Sequence, residues 1–230
     1  MKRVTVIIPV FNEKATILQL LEKVENADFA GLKKEIIITD DFSTDGTRNI
    51  LKTVQNKYIV LFHEKNNGKG AAIRTAVKEA SGDFIVIQDA DLEYLPDDYD
   101  KLLPLLINNE ADVVYGSRFK NKNNDKNFIL KNKLANIFLT TLTNILYGCK
   151  ITDMETCYKA FKREFLQSVT IKSNRFDFEP EITAKMLKKQ ARLKEVPISY
   201  NGRGHAEGKK INWKDGLHAI FTLIKYRFID

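Results

Sequence analysis

Short apolar runs alternate with longer stretches of helical periodicity along the first half of the chain. Residues 4–8 form a continuous β-branched run, and Ile17, Leu18, Leu21 and Val24 then recur at helical spacing, which predicts a strand followed by a helix over about 15–24. The same reading gives strands at 35–39, 58–62 and 84–87 and helices at 47–54 and 71–80. Strand and helix in alternation imply an α/β chain with a mostly parallel central sheet flanked by helices. The runs VTVII, EIII and FIVI show no polar alternation, as expected of strands covered on both faces.

The pattern loosens in the second half. A strand is predicted at 112–115, an Asn- and Lys-rich loop at 120–127, a long helix at 130–147, a helix at 181–190 and a last strand at 193–197. An amphipathic helix is predicted over 213–228. We therefore expect one domain over 1–212 and a C-terminal amphipathic helix over 213–230 that lies at a membrane interface or packs on the domain. Leu217, Ile220, Phe221, Leu223, Ile224 and Phe228 beside Lys225 and Arg227 suit an interfacial helix on anionic lipid, and the 130–147 helix raises the same question.

The formal charge of +7, from 37 Lys and Arg against 30 Asp and Glu, favours anionic partners such as diphosphates or acidic headgroups. No nucleic-acid motif accompanies it, and acids at the strand ends would repel a phosphate backbone, so no nucleic-acid partner is expected. Cys149 and Cys157 match no disulfide framework or zinc spacing and read as thiols of a reducing compartment, which implies a cytoplasmic location. Residues 4–10 are too short for a signal-peptide core, and no run approaches the roughly 20 apolar residues of a membrane span.

In open parallel sheets ligands bind beyond the carboxyl ends of the strands. The first strand end carries Pro9, Phe11, Asn12 and Glu13, the second Asp40, Asp41, Ser43 and Asp45, and the fourth Asp89, Ala90, Asp91 and Glu93. In extended geometry Asp89 and Asp91 point the same way and can share one cation, with Glu93 as a third ligand directly or through water. Oxygen ligands without His or Cys suit Mg2+ or Mn2+. The alternative is a set of surface acids at a turn. Asp40, at a strand tip with no helix to cap, can accept hydrogen bonds from a nucleobase. Ser43 and Asp45 read as caps for the helix near Thr47. Gly68 and Gly70 in NNGKGAAIRTA read as a helix start with close packing, since neither a P-loop nor a dinucleotide fingerprint is present.

IIPVFNE, TDDFSTDGT, NNGKGAAIRTA, QDADLE and YGSRF, in this order and spacing, closely resemble the family 2 glycosyltransferases of the GT-A fold, and within them the soluble dolichol-phosphate mannosyltransferase-like branch. The resemblance spans roughly residues 4–228. It implies that Pro9, Phe11, Glu13 and Asp40 line a nucleoside pocket, and that Asp89, Ala90 and Asp91 meet the donor diphosphate with the metal. It places Arg118 near an acceptor phosphate and makes Arg203 and Lys209 a basic pair closing over the phosphates. Position 93 is often glutamine in the dolichol-phosphate members and is Glu93 here, and Phe42 replaces the Gly of the usual DDGS form. In TDMETCYKAFKRE, Asp153 falls where sugar-accepting members place a general base; otherwise it would cap a helix over 155–161.

The activity implied is inverting transfer of a hexose from a GDP- or UDP-linked sugar to a polyprenyl or dolichyl phosphate, at the inner face of the cytoplasmic membrane, in cell wall or glycan biosynthesis. The alternatives are a glycan or other hydroxyl acceptor with Asp153 as base, and a non-catalytic nucleotide- or nucleic-acid-binding module.

Overall fold

The computed structural model describes residues 1–202 and 213–229, apart from the side chains of 125–127, 213 and 214. Arg203 and Lys209 lie outside the described residues. Among those described, the chain runs β1 (Arg3–Val10), α1 (Ile17–Asn26), β2 (Lys33–Asp40), α2 (Thr47–Thr53), β3 (Ile59–Phe62), α3 (Lys69–Glu79), β4 (Phe84–Ile87), α4 (Tyr99–Ile107), β5 (Val113–Ser117), α5 (Leu130–Tyr147), β6 (Lys159–Lys162), α6 (Arg163–Gln167), α7 (Phe178–Lys188), β7 (Leu193–Pro197) and α8 (Trp213–Phe228). One seven-stranded sheet has the order β3-β2-β1-β4-β6-β5-β7. β6 is antiparallel to both its neighbours and all other pairs are parallel.

Alternate residues of the continuous apolar strands serve opposite faces. Val4, Val6 and Ile8 of β1 pack with Leu20 and Val24 of α1 and Leu102 and Leu106 of α4. Ile7, with Ile37 and Ile85 of the neighbouring strands, faces Ile73 and Ala76 of α3 and Phe178 and Ile182 of α7. Burial on both faces removes the polar alternation that a one-sided sheet would carry. A third cluster joins Leu139 of α5, Ile151 and Met154 to Ala219 and Leu223 of α8, so the terminal helix packs on the body through one face.

Several elements differ from the periodicity reading, among them the short helix α6, where no helix was expected. The segment 155–161 is not a helix: a loop leads into the antiparallel strand β6, so Asp153 caps nothing there. The sequence KAFK hides this strand because Lys159, wholly buried, reads as a surface residue. α4 escaped notice behind Pro104, which sits inside it, and a 3-10 turn over Lys122–Asn127 replaces part of the expected loop.

Because β4 and β5 run in the same direction and β6 runs against them, the carboxyl ends of β1, β2, β4 and β5 and the loop entering β6 share one edge of the sheet. α3 is seated at that edge by Gly68 (φ 96, ψ 163), a conformation essentially confined to glycine. A Cβ there would stand 2.4 Å from the Asn174 carbonyl oxygen, and one on Gly70 would stand 2.6 Å from that of Ser173. Gly68→Ala is expected to cost about 2–5 kcal/mol in urea unfolding, the sum of backbone strain and overpacking.

Candidate active site

The loops after β1 and β2 are laced together. The Asn12 amide donates to Ser43 Oγ (2.9 Å), the Thr44 amide to Asn12 Oδ1 (2.8 Å), the Glu13 amide to Thr47 Oγ1 (3.0 Å) and the Lys14 amide to Asp45 Oδ2 (3.1 Å). Asp45 also accepts from the Thr47 amide at 3.0 Å, the turn chemistry expected of it. Ser43 caps no helix and instead bridges the two loops. Phe42 adopts the left-handed conformation (φ 66) that glycine would favour, so the turn survives the substitution, and the Arg48 guanidinium lies 5.6 Å from its ring.

Pro9 is buried within β1 opposite Thr39, Phe11 is half-buried, and Glu13 is buried. Asp40 is fully buried, accepts from the Ser43 amide and lies 3.4 Å from Arg48 Nε. Asp41 faces the other way: its carboxylate accepts from the amides of Asn67 (2.8 Å) and Gly68 (2.7 Å) and meets His63 Nδ1 at 2.7 Å. This ties the second strand end to the start of α3.

The loop after β4 is held by Gln88, which sequence reasoning passed over. Its buried amide donates to the carbonyls of Asp89 and Tyr94, both at 3.1 Å, while Tyr99 Oη donates to its oxygen at 2.9 Å. Asp89 and Asp91 do not continue the strand. Asp91 lies in a turn in which its Oδ1 accepts from the Glu93 amide (3.1 Å), and Leu92 between them is left-handed (φ 63). All three acids are partly exposed, and Ala90 between the aspartates is buried. Among the described residues, no three His, Cys, Asp or Glu side chains gather closely enough to hold a metal by themselves.

Beneath Asp89 runs a line of buried charge. Lys69 Nζ is 2.6 Å from Asp89 Oδ1 and 3.5 Å from Glu179 Oε1. Glu179 pairs with Lys159, whose ammonium also donates to the carbonyls of Met154 and Thr156. Burial disfavours the Lys69 ammonium, but Asp89 and Glu179 outweigh it and hold its pKa well above the ordinary value. The same burial, with Asp89 nearby, pushes the Cys157 thiol up, so it stays protonated and unreactive.

After β5, Arg118 and Asp153 form a buried two-pronged pair: Nε donates to Oδ2 at 2.8 Å, Nη2 to Oδ1 at 2.7 Å and the Arg118 amide to Oδ2 at 3.0 Å. Tyr200 lies under the guanidinium at 5.3 Å. Glu195 of β7 fixes the loop from behind, accepting from the amides of Thr152 (2.8 Å) and Asp153 (3.0 Å). Lys69, Glu179 and Glu195 were missed because nothing in their local sequence separates them from surface charge.

The structure thus brings Asp89, Asp91, Glu93, Arg118 and Asp153 to one edge with the Asp40 and Glu13 loops. The chain is similar to known proteins along nearly its whole length. Residues 5–170 match the model of Glycosyl transferase family 2. The chain is 32% identical to the UDP-N-acetylglucosamine–dolichyl-phosphate N-acetylglucosaminyltransferase of Methanococcus voltae, over 97% of this chain and 95% of that one. It is 31% identical to the dolichol-phosphate mannosyltransferase of Pyrococcus furiosus, over 97% of this chain and 64% of the relative. Glucosyl-3-phosphoglycerate synthase from Mycobacterium tuberculosis, solved with Mn2+, uridine diphosphate and phosphoglyceric acid, superposes with a TM-score of 0.74 at 20% identity, covering 100% of this chain and 80% of that one. The chain belongs to the family 2 glycosyltransferases, and its sheet is that of the GT-A fold.

Glu155 adds a titrating group to this edge. Its Oε1 is enclosed and finds no hydrogen-bond partner among the described residues. Burial first, then Glu179, pushes its carboxyl up from 4.5 to about 7, against the pull of Lys159 and Arg118. The unfolded chain would ionise near 4.5 and the folded one near 7, so this group lowers stability as pH rises through that window and no further above it. Glu155→Gln should therefore match the wild type in urea unfolding near pH 4 and exceed it by up to about 3 kcal/mol at pH 8.

Proposed function

We propose that this glycosyltransferase moves a hexose from a GDP- or UDP-linked sugar to a polyprenyl phosphate, with inversion at the anomeric carbon. The observation that carries the acceptor class is the Arg118–Asp153 pair. Both Asp153 oxygens accept from Arg118 and the side chain is wholly buried, so it is poorly placed to take a proton from a sugar hydroxyl. A phosphate acceptor is already ionised near neutral pH and needs no base. The dolichyl-phosphate and dolichol-phosphate relatives support the same acceptor.

In this reading an acceptor phosphate oxygen attacks the anomeric carbon as the bond to the donor diphosphate breaks, and the bonding electrons leave with the nucleoside diphosphate. Pro9, Phe11, Glu13 and Asp40 line the nucleoside pocket, the buried Asp40 holding the loop there through the Ser43 amide. Arg118, oriented by Asp153 and stacked on Tyr200, faces the acceptor phosphate. Arg203 and Lys209 complete the phosphate contacts by the family resemblance.

Asp89 and Asp91, with Glu93, would hold Mg2+ or Mn2+. Two or three carboxylates short of a complete cage suit an ion whose remaining ligands are diphosphate oxygens. When bound, such an ion stabilises the negative charge developing on the leaving diphosphate. The Mn2+ and uridine diphosphate of the mycobacterial structure support this assignment. With radiolabelled GDP- and UDP-sugars, polyprenyl phosphate and Mn2+, transfer is expected, to be abolished by EDTA and to fall at least about 100-fold in Asp89→Ala/Asp91→Ala. Transfer to hydroxyl acceptors alone would overturn the phosphate assignment.

The acceptor's lipid tail implies a membrane contact, and we assign it to α5 and α8 on the cytoplasmic face, as a peripheral association. No helix among the described residues is long and apolar enough to cross a bilayer. Leu134, Ile137, Phe138 and Ile145 of α5 are exposed along one stripe, as are Leu217, Phe221, Ile224 and Phe228 of the adjoining α8, while Leu223 turns inward. Lys131, Lys133, Lys225 and Arg227 flank these stripes and suit anionic headgroups. In flotation with anionic liposomes the wild type should rise with the vesicles and Phe138→Glu/Phe221→Glu should stay behind; unchanged flotation of the variant would remove these helices from the assignment.

A further inference from the structure

Lys69 stands between the Asp89 carboxylate and the buried charges behind it, and the reaction described above leaves it without a task. It opens α3, where Gly68 and Gly70 are pressed against the backbone of 173–174, so the helix start has no room to slide away. Only 12% of the Lys69 side chain is exposed, and its ammonium lies 2.6 Å from Asp89 Oδ1 and 3.5 Å from Glu179 Oε1. Glu179 is itself held by the wholly buried Lys159. The ammonium is thus set on the carboxylate by packing from behind, on the very oxygen a cation would seek.

We propose that Lys69 makes metal binding conditional on the donor: it neutralises Asp89 in the donor-free protein and turns to the diphosphate when the donor arrives with its ion. A lone divalent cation must either share Asp89 with an ammonium a few Å away or displace it into less polar surroundings, and both are unfavourable. A nucleoside diphosphate removes the conflict, because its oxygens supply ligands to the ion and a new counter-charge to the ammonium. The protein then resists loading with free metal and captures the ion together with the donor. This inference rests on Asp89 and Asp91 being the metal pair.

Mn2+ binding to the full chain, read from the electron paramagnetic resonance signal of the free ion with and without UDP or GDP, tests it. Wild type is expected to bind Mn2+ weakly alone and more tightly with nucleotide. Lys69→Met should bind Mn2+ alone about tenfold or more tighter than wild type, with most of the nucleotide-induced gain lost, and Lys69→Arg should behave as wild type. Lys69→Gln, which retains a hydrogen-bonding end, carries the same expectation as Lys69→Met should the latter not fold. Equal or weaker binding of Mn2+ alone by the uncharged variants would overturn the role of Lys69 while leaving the metal pair in place. No uptake of Mn2+ by wild type even with nucleotide would overturn both.

Discussion

Burying negative charge at the end of an apolar sheet is the constraint around which this molecule is organised. Asp40, Asp153 and Glu179 are almost wholly enclosed, and Asp89 is mostly so. Carboxylates in such surroundings must be paired, hydrogen-bonded or protonated. Each route is used. Asp41 is satisfied by two backbone amides, Asp153 by a guanidinium fork, Asp89 and Glu179 by lysine ammoniums, and Glu155 by a raised pKa. The cations that compensate these acids are therefore part of the fold, and they come from elements far apart in sequence.

Compensation of this kind also fixes geometry. Lys159 reaches the Met154 and Thr156 carbonyls from inside the sheet, and Glu195 accepts from the Thr152 and Asp153 amides from β7. The loop bearing Asp153 is clamped from two sides, which lets Arg118 sit in one orientation. Gln88 does the same for the loop bearing Asp89 and Asp91, joining both its ends through a single amide. Left-handed residues at Asn12, Phe42 and Leu92, one in each of the three strand-end loops, mark where the chain reverses sharply after a straight strand. Unfavourable backbone angles at a ligand edge persist because the surrounding hydrogen bonds over-determine them.

The remaining polar surface contrasts with the apolar stripes of α5 and α8. The two helices meet through Leu139, Ala219 and Leu223, so their inward faces obey ordinary core packing. Their outward faces do not follow the usual exchange of apolar for polar residues: each keeps an apolar stripe exposed to water, the feature on which the proposed membrane contact rests.

Much of this was legible in the chain itself. Covalent order and local periodicity determined the alternating elements, the mostly parallel sheet, and the placement of Asp40 at a strand tip and of Asp89 and Asp91 just beyond one, because a strand buried on both faces and the residue that ends it are both local signals. The motifs carried the family on the same local basis. Tertiary structure alone decided the rest. That KAFK is a strand and not part of a helix depends on Lys159 meeting Glu179 twenty residues away. That Asp153 is bound to Arg118, and that Lys69 lies on Asp89, depends on which side chains a folded sheet edge brings within 3 Å. Electrostatic partnership is a property of distance in space and of exclusion from water, and neither is written in the spacing of residues along a chain.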